Sequence, residues 1–279
     1  MIKSYCKINL SLRVLKKLKN GLHDIQSNVF LLNLFDQIKI KKTHKKKDLV
    51  TWRGKFKNLI DKKKNSIITM LKILRSNGLI SKQVKYEIII NKKIPVFAGL
   101  GGGTSNAAYI YKHFVKKRFN QKVIQEIEEK IGTDFKLFFH NQSQVVNLKK
   151  IEKIKKKHDF YFVLIYPHIK CSTKFIYSKV RNFSQKAKIN ILNISNRNQF
   201  IKAMKKEKND LQSIAISQYK VLDILIDYIN IQKGCFFSRL TGSGSVCYGM
   251  FASKKLANFA LKKIKKKFPK YWSVTTKTI

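Results

Sequence analysis

The stretch IPVFAGLGGGTSNAA, residues 94–108, places Gly99, Gly101, Gly102 and Gly103 within five positions of a chain that has 12 glycines in all. A glycine-rich turn running into a helix presents several backbone N–H groups in one direction with no side chain in the way. Those donors and the helix dipole both favour phosphate oxygens. A tight turn that merely needs positive φ would use one or two glycines. Four of them ahead of Thr104-Ser105 and the helix-compatible run AAYIYKHFV point instead to an anion site. The loop matches neither GxxxxGK[ST] nor GxGxxG. Two charged residues elsewhere could do chemistry. Asp134, in GTDFKLFF, is a lone carboxylate beside Phe135, Leu137, Phe138 and Phe139 in a chain with only 15 acids. An acid so placed either caps a helix after Gly132 or serves as a base. Lys7 and Asn9, two positions apart, project together from the polar side of an alternating segment, where a lysine is most often plain surface.

The elements that must position these residues are legible in outline. Cys6, Ile8, Leu10, Leu12 and Val14 alternate with polar residues, which predicts a half-buried strand. Asn20-Gly21 predicts a turn, after which HDIQSNVFLLNL and QIKIKK read as two further strands. NSIITMLKILRSN (65–77) reads as a helix with Asn65 as N-cap and Gly78 at its stop. VKYEIII (84–90) is a strand, so the glycine loop lies between strand and helix. A helix over about 121–131, a buried strand in DFYFVLIYP (159–167), and two strands in CFFSRLTGSGSVCYGMF (235–251) follow. The helix KKLANFALKKIKKKF and a last strand WSVTTKT complete the series. Strands and helices mix without βαβ regularity, which implies an α+β fold, with length favouring two domains and a boundary near residue 155.

Composition excludes several classes. The 60 Lys and Arg against 15 Asp and Glu give a formal charge of +45, a balance that ordinarily suggests a polyanionic partner. Here the lysines are spread along the chain beside abundant Asn and Ile, as an AT-biased genome favours, and no aromatic residues interleave with them as in an RNA-binding sheet. No specific nucleic-acid partner is expected. Cys6, Cys171, Cys235 and Cys247 form no CxxC pair and no metal-spaced cluster with the histidines, so reduced thiols and no metal site of the protein's own are expected. No apolar run approaches the roughly 18 residues of a membrane span. A soluble, unprocessed, cytoplasmic protein, monomeric or weakly dimeric, is expected.

The glycine loop in its context, KKIPVFAGLGGGTSNAA (92–108), resembles the phosphate-binding motif of GHMP-type small-molecule kinases. Three more blocks agree in order: SYCKINLSLRVLKKLKNGLHDIQS (4–27), GTDFKLFF (132–139) and LTGSGSVCYGMF (240–251). YPHIKCSTKFIY (166–177) and Asn209-Asp210-Leu211 also fall in place, so the resemblance runs end to end. It implies the two-domain GHMP kinase fold, with a ribosomal-protein-S5-domain-2-like N-terminal domain over 1–155 and a ferredoxin-like α/β domain over 156–279. It implies ATP with Mg²⁺ as donor, held by Asn65, Pro95, Val96, Phe97, Ala98, Gly99, Leu100, Gly101, Gly102, Gly103, Thr104 and Ser105. Asp134 is implied as catalytic base and Lys7 as its cationic partner, stabilising the charge that develops. Within the superfamily the motif form is similar to the branch whose acceptor is a cytidine diphosphate ester of methylerythritol, phosphorylated at its 2-hydroxyl. Kinases of mevalonate or homoserine are the alternative, with a basic nucleic-acid-binding protein as the reading from another class. Asn9, His23, Thr173, Tyr177, Gly242 and Ser243 are implied as acceptor-binding, His23 and Tyr177 at the base. The block Gly242-Ser243-Gly244 is also what a simple hairpin turn would contain. Leu22 stands where the family usually has Tyr, Lys136 replaces a common Pro, and glycines usual after the GTDFKLFF block are missing.

Overall fold

Cys6, Ile8, Leu10, Leu12 and Val14 are all buried on one strand, but so are Lys7, Asn9 and Ser11 on its opposite face. The strand is therefore enclosed on both sides rather than half-buried. This was established in a computed structural model that describes residues 1–60, 65–116, 120–187 and 191–279. In chain order the elements begin β1 (Ile2–Lys17), β2 (His23–Thr43), β3 (Leu49–Arg53), α1 (Ser66–Ser76), β4 (Lys85–Asn91), α2 (Gly102–Phe114) and α3 (Gln121–Lys130). They continue β5 (Gln142–Asn147), β6 (Lys150–Lys153), β7 (Tyr161–Tyr166), α4 (Thr173–Ser178), α5 (Arg197–Lys206), α6 (Gln212–Gln218) and α7 (Val221–Asn230). The last four are β8 (Cys235–Leu240), β9 (Cys247–Phe251), α8 (Lys254–Lys267) and β10 (Trp272–Lys277). The two strands expected after Asn20-Gly21 are one, β2, unbroken through the polar pair Asp36-Gln37.

The chain divides into two compact units interleaved along the sequence, whereas the resemblance divides it in order at 155. The first comprises Met1–Cys6, Leu34–Val96 and Gly101–Phe139. In it, β4 pairs antiparallel with β2 over Gln37–Thr43 and parallel with β3. Helix α1 buries Ile67, Met70, Leu71 and Leu74, a spacing that sets one apolar stripe toward the core. Tyr111 of α2 meets Phe135 edge-on at 5.5 Å. Asp48 takes two hydrogen bonds from Arg75 and one from the Tyr86 amide, tying the start of β4 to α1.

The second unit comprises Lys7–Asn33, Phe97–Leu100 and His140–Ile279. Here β2 pairs antiparallel with β5 through Ser27 to Phe30, and β5 with β6. A separate four-stranded antiparallel sheet has the order β10-β7-β9-β8. With helices between β7 and β8 and α8 between β9 and β10, this is the ferredoxin-like βαββαβ arrangement. Its alternate residues Val163, Ile165 and Cys247 pack with Leu222, Leu225, Ile229 of α7 and Ala257, Ala260, Ile264 of α8 into one apolar cluster. No helix among the described residues is long and apolar enough to cross a membrane.

Candidate active site

Helix α2 starts at Gly102, two residues before the Thr104-Ser105 start that the sequence suggests. Its N-cap is Gly101, left-handed at φ 68°. Gly102 is packed from beneath, since a Cβ there would lie 3.1 Å from Ile94 Cγ2 and 3.3 Å from Lys92 Nζ. Gly103 differs: a Cβ there would meet nothing within 4 Å. Ser105 is fully buried, with its hydroxyl bonded to Ser4 Oγ at 2.7 Å and donating to the Tyr5 carbonyl at 2.5 Å. Its side chain anchors the helix. Two residues not singled out from the sequence support the same turn: Lys92 and Asp36, buried and ion-paired. Asp36 Oδ1 also accepts from the Lys93 and Ile94 amides at 2.7 and 2.9 Å. One carboxylate thus fixes the backbone that leads into Pro95 and Val96.

Asp134 lies in the first turn of a 3-10 segment, Thr133–Phe139, rather than ahead of it as a cap would. Phe135, Leu137 and Phe138 are buried and hold that turn, while Asp134 is half-buried. Lys112 of α2 donates to the Phe138 carbonyl and sits over the Tyr109 and Phe139 rings at 4.5 and 4.9 Å. Burial pulls this lysine down to about 8. Asn65 caps α1, its side-chain oxygen accepting from Ile67 and Ile68 N at 3.0 and 3.3 Å. Asn65→Ala should therefore cost about 1 kcal/mol in thermal or denaturant unfolding. A simultaneous rise in KM for ATP would assign Asn65 to the nucleotide as well.

In the second unit Lys7, Asn9, Gly99 and Gly242 converge. Lys7 Nζ donates to Asn9 Oδ1 at 2.6 Å, Asn9 Nδ2 donates to Ser27 Oγ at 2.8 Å, and the Asn9 amide donates to Thr241 Oγ1 at 3.0 Å. The Lys7 amide donates to the Leu100 carbonyl at 3.0 Å. Gly99 has φ 73°, and a Cβ on it would stand 2.2 Å from the Thr241 carbonyl oxygen, so two glycine loops touch backbone to backbone. A Cβ on Gly242 would lie 3.3 Å from Asn9 Oδ1 and 3.6 Å from Lys7 Nζ. Asn209, whose place in the chain alone hints at a role, clamps the second loop by donating to the Leu240 and Gly242 carbonyls at 2.9 and 2.8 Å. Thr173 and Ser243 share a hydrogen bond of 2.9 Å between hydroxyls. Ala98 accepts from the Val246 amide, and Phe97 holds a left-handed φ of 57° with its ring exposed under Lys170 Nζ.

His23 and Tyr177 are brought together as implied, ring centroids 5.1 Å apart and tilted by 35°. Burial first, and the charge of Lys17 second, hold the His23 imidazole below its ordinary 6.5. It is therefore neutral near pH 7 and offers one donor and one acceptor nitrogen. Among the described residues no group of three or more His, Cys, Asp or Glu side chains could hold a metal ion.

The family model described as GHMP kinases C terminal matches residues 187–270. The 4-diphosphocytidyl-2-C-methyl-D-erythritol kinase of Pelagibacter ubique (strain HTCC1062) is 35% identical, covering 100% of this chain and 98% of that protein. The protein of the same name from Buchnera aphidicola subsp. Schizaphis graminum (strain Sg) is 31% identical over 91% of this chain and 85% of its own length. Among solved structures, a 4-(cytidine 5'-diphospho)-2C-methyl-D-erythritol kinase aligns with a TM-score of 0.73 at 18% identity, covering 98% of each chain. A homoserine kinase from Cytophaga hutchinsonii ATCC 33406 aligns at 0.69 and 16% identity, covering 100% of this chain and 96% of that one. At such identities the two structures speak for the fold alone.

Proposed function

The chain belongs to the 4-diphosphocytidyl-2-C-methyl-D-erythritol kinase family, and from that premise we propose that it phosphorylates the 2-hydroxyl of 4-diphosphocytidyl-2-C-methyl-D-erythritol with ATP, in the non-mevalonate route to isoprenoid precursors. The observation that carries this reading is the full-length 35% identity. The hydrogen-bonded Lys7–Asn9 pair beside the Gly242 loop supports it.

The residues present suit ATP. The α2 N-terminus offers backbone amides, a left-handed Gly101, and open space above Gly103 of the kind a phosphate group needs. ATP supplies the γ-phosphoryl group, and Mg²⁺, a hard cation, would accompany it and neutralise phosphate charge. Gly101, Gly102, Gly103 and Thr104 hold the donor phosphates. Asp134 takes the proton from the 2-hydroxyl as that oxygen attacks. Lys7, held by Asn9 Oδ1, meets the negative charge that develops, and its burial makes that charge count for more than in water. The acceptor hydroxyl is tertiary and slow to react, so binding energy from the remote cytidine goes into orienting it. His23 reads the base edge, Tyr177 offers a stacking face, and Thr173 at the start of α4 and Ser243 in the second glycine loop bind the acceptor.

The test is ADP release from ATP with each acceptor in turn. Turnover is expected with the cytidine ester, and the uridine analogue should be at least about tenfold poorer in kcat/KM, because a site that pairs with the exocyclic amino group leaves buried groups unsatisfied when that group is absent. His23→Ala should erode the preference. Faster turnover of mevalonate or homoserine, or equal turnover of the two pyrimidine esters, would defeat the assignment.

A further inference from the structure

Leu22 is 44% exposed beside His23, at the position where the family usually carries Tyr. Leucine offers apolar contact but no π face, so one aromatic wall of a base site is missing there. A different ring stands beside the same histidine. Phe183 lies 6.4 Å from His23, tilted by 35°, the same tilt that Tyr177 makes on its side of the histidine. It is 47% exposed, unusual for a phenylalanine, whose ring is ordinarily hidden.

The exposure is not that of a loose loop. Following α4, Val180 is anchored in the apolar cluster. The Ser184 amide donates to the Val14 carbonyl at 2.8 Å and the Ala187 amide to Gln26 Oε1 at 2.7 Å, while Arg13 Nη1 donates to the Gln185 carbonyl at 3.4 Å. The segment is thus fastened to the end of β1 and the start of β2, and Phe183 is the side chain left facing out. It borders two cavities, one of about 490 Å³ with Asn182 and Arg239, the other of about 430 Å³ with Leu15 and Asp24, the residue next to His23.

We propose that Phe183 supplies the aromatic surface for the pyrimidine that residue 22 lacks, and is an affinity-determining residue of the acceptor site. The proposal rests on the cytidine reading above. A stacked base would cover the exposed ring, and stacking tolerates any pyrimidine, so Phe183 contributes affinity while the His23 edge contributes choice.

Phe183→Leu retains apolar bulk and removes only the ring. It should raise KM for the cytidine ester and the calorimetric Kd of cytidine diphosphate about five- to tenfold, with kcat changed less than about twofold and KM for ATP unmoved. In a Leu22→Tyr background the same substitution should cost less, because two rings then compete for one role. Unchanged KM and Kd in Phe183→Leu, or a loss confined to kcat and melting temperature, would overturn the proposal while turnover of the cytidine ester by the unaltered enzyme leaves the kinase reading intact. Failure of the unaltered enzyme to turn over that ester would overturn both.

Discussion

Asp134→Asn should lower kcat by roughly two orders of magnitude or more while KM for both substrates moves little. The substitution preserves shape but removes the charge and turns one acceptor oxygen into an NH2 donor, so it removes the ability to accept a proton as the hydroxyl oxygen attacks. The structure makes the outcome interpretable. Asp134 sits inside the first turn of its 3-10 segment, and that segment is held by buried Phe135, Leu137 and Phe138 and by the Lys112 bond to the Phe138 carbonyl. None of those supports depends on an ionised carboxylate at 134. Lys7→Met should fall on the same side of the test, with a lower kcat, because it deletes a buried cation whose Nζ is aimed by Asn9. If Asp134→Asn instead lowered the melting temperature and left kcat intact, the residue would be structural.

What could be read from the sequence, and what could not, follows from the range of the forces involved. The alternation from Cys6 to Val14 reveals a strand because the pleat repeats every two residues, but it does not reveal what covers the second face. Thr241, more than two hundred positions away, and Ser27 meet Asn9 there, and so the polar side of β1 is interior. The same long-range blindness splits β2 in two: Asp36 looks like an interruption until Lys92 is found beside it, completing a buried pair. Strand β3 is short, β5 and β6 are short and largely polar, and α5 to α7 lie in a stretch where no glycine or proline marks an end, so local pattern left them unread. The glycine-loop residues were legible for the opposite reason. Their motifs are contiguous in sequence, because a phosphate nest is made of successive backbone amides. Asn209 was placed only by the resemblance and Phe183 not at all, since each acts on residues far along the chain.

Of the glycines in the donor loop, Gly103 separates ligand from fold. Gly99 cannot serve, because any side chain there would collide with the Thr241 carbonyl, and Gly102 is crowded by Ile94 and Lys92. Loss of binding on changing either would be confounded with a displaced backbone. Gly103 has helical backbone, is exposed, and has open space where a Cβ would go. In a helix interior a glycine costs roughly 0.5–1 kcal/mol relative to alanine, and less in the first turn. No packing in the fold requires it, and we therefore assign its presence to a ligand that approaches the backbone when bound. Gly103→Ala is expected to leave the melting temperature unchanged or slightly raised. Gly103→Val, with its branched side chain, should weaken ATP binding by about two orders of magnitude, because it fills the space over the α2 amides where phosphate oxygens must come within hydrogen-bond distance. Equilibrium binding of ATP, measured beside thermal unfolding of both variants, checks this. Undiminished affinity in a folded Gly103→Val protein would remove the α2 N-terminus from the donor site. A fall in stability instead of affinity would mean that the glycine serves the fold after all.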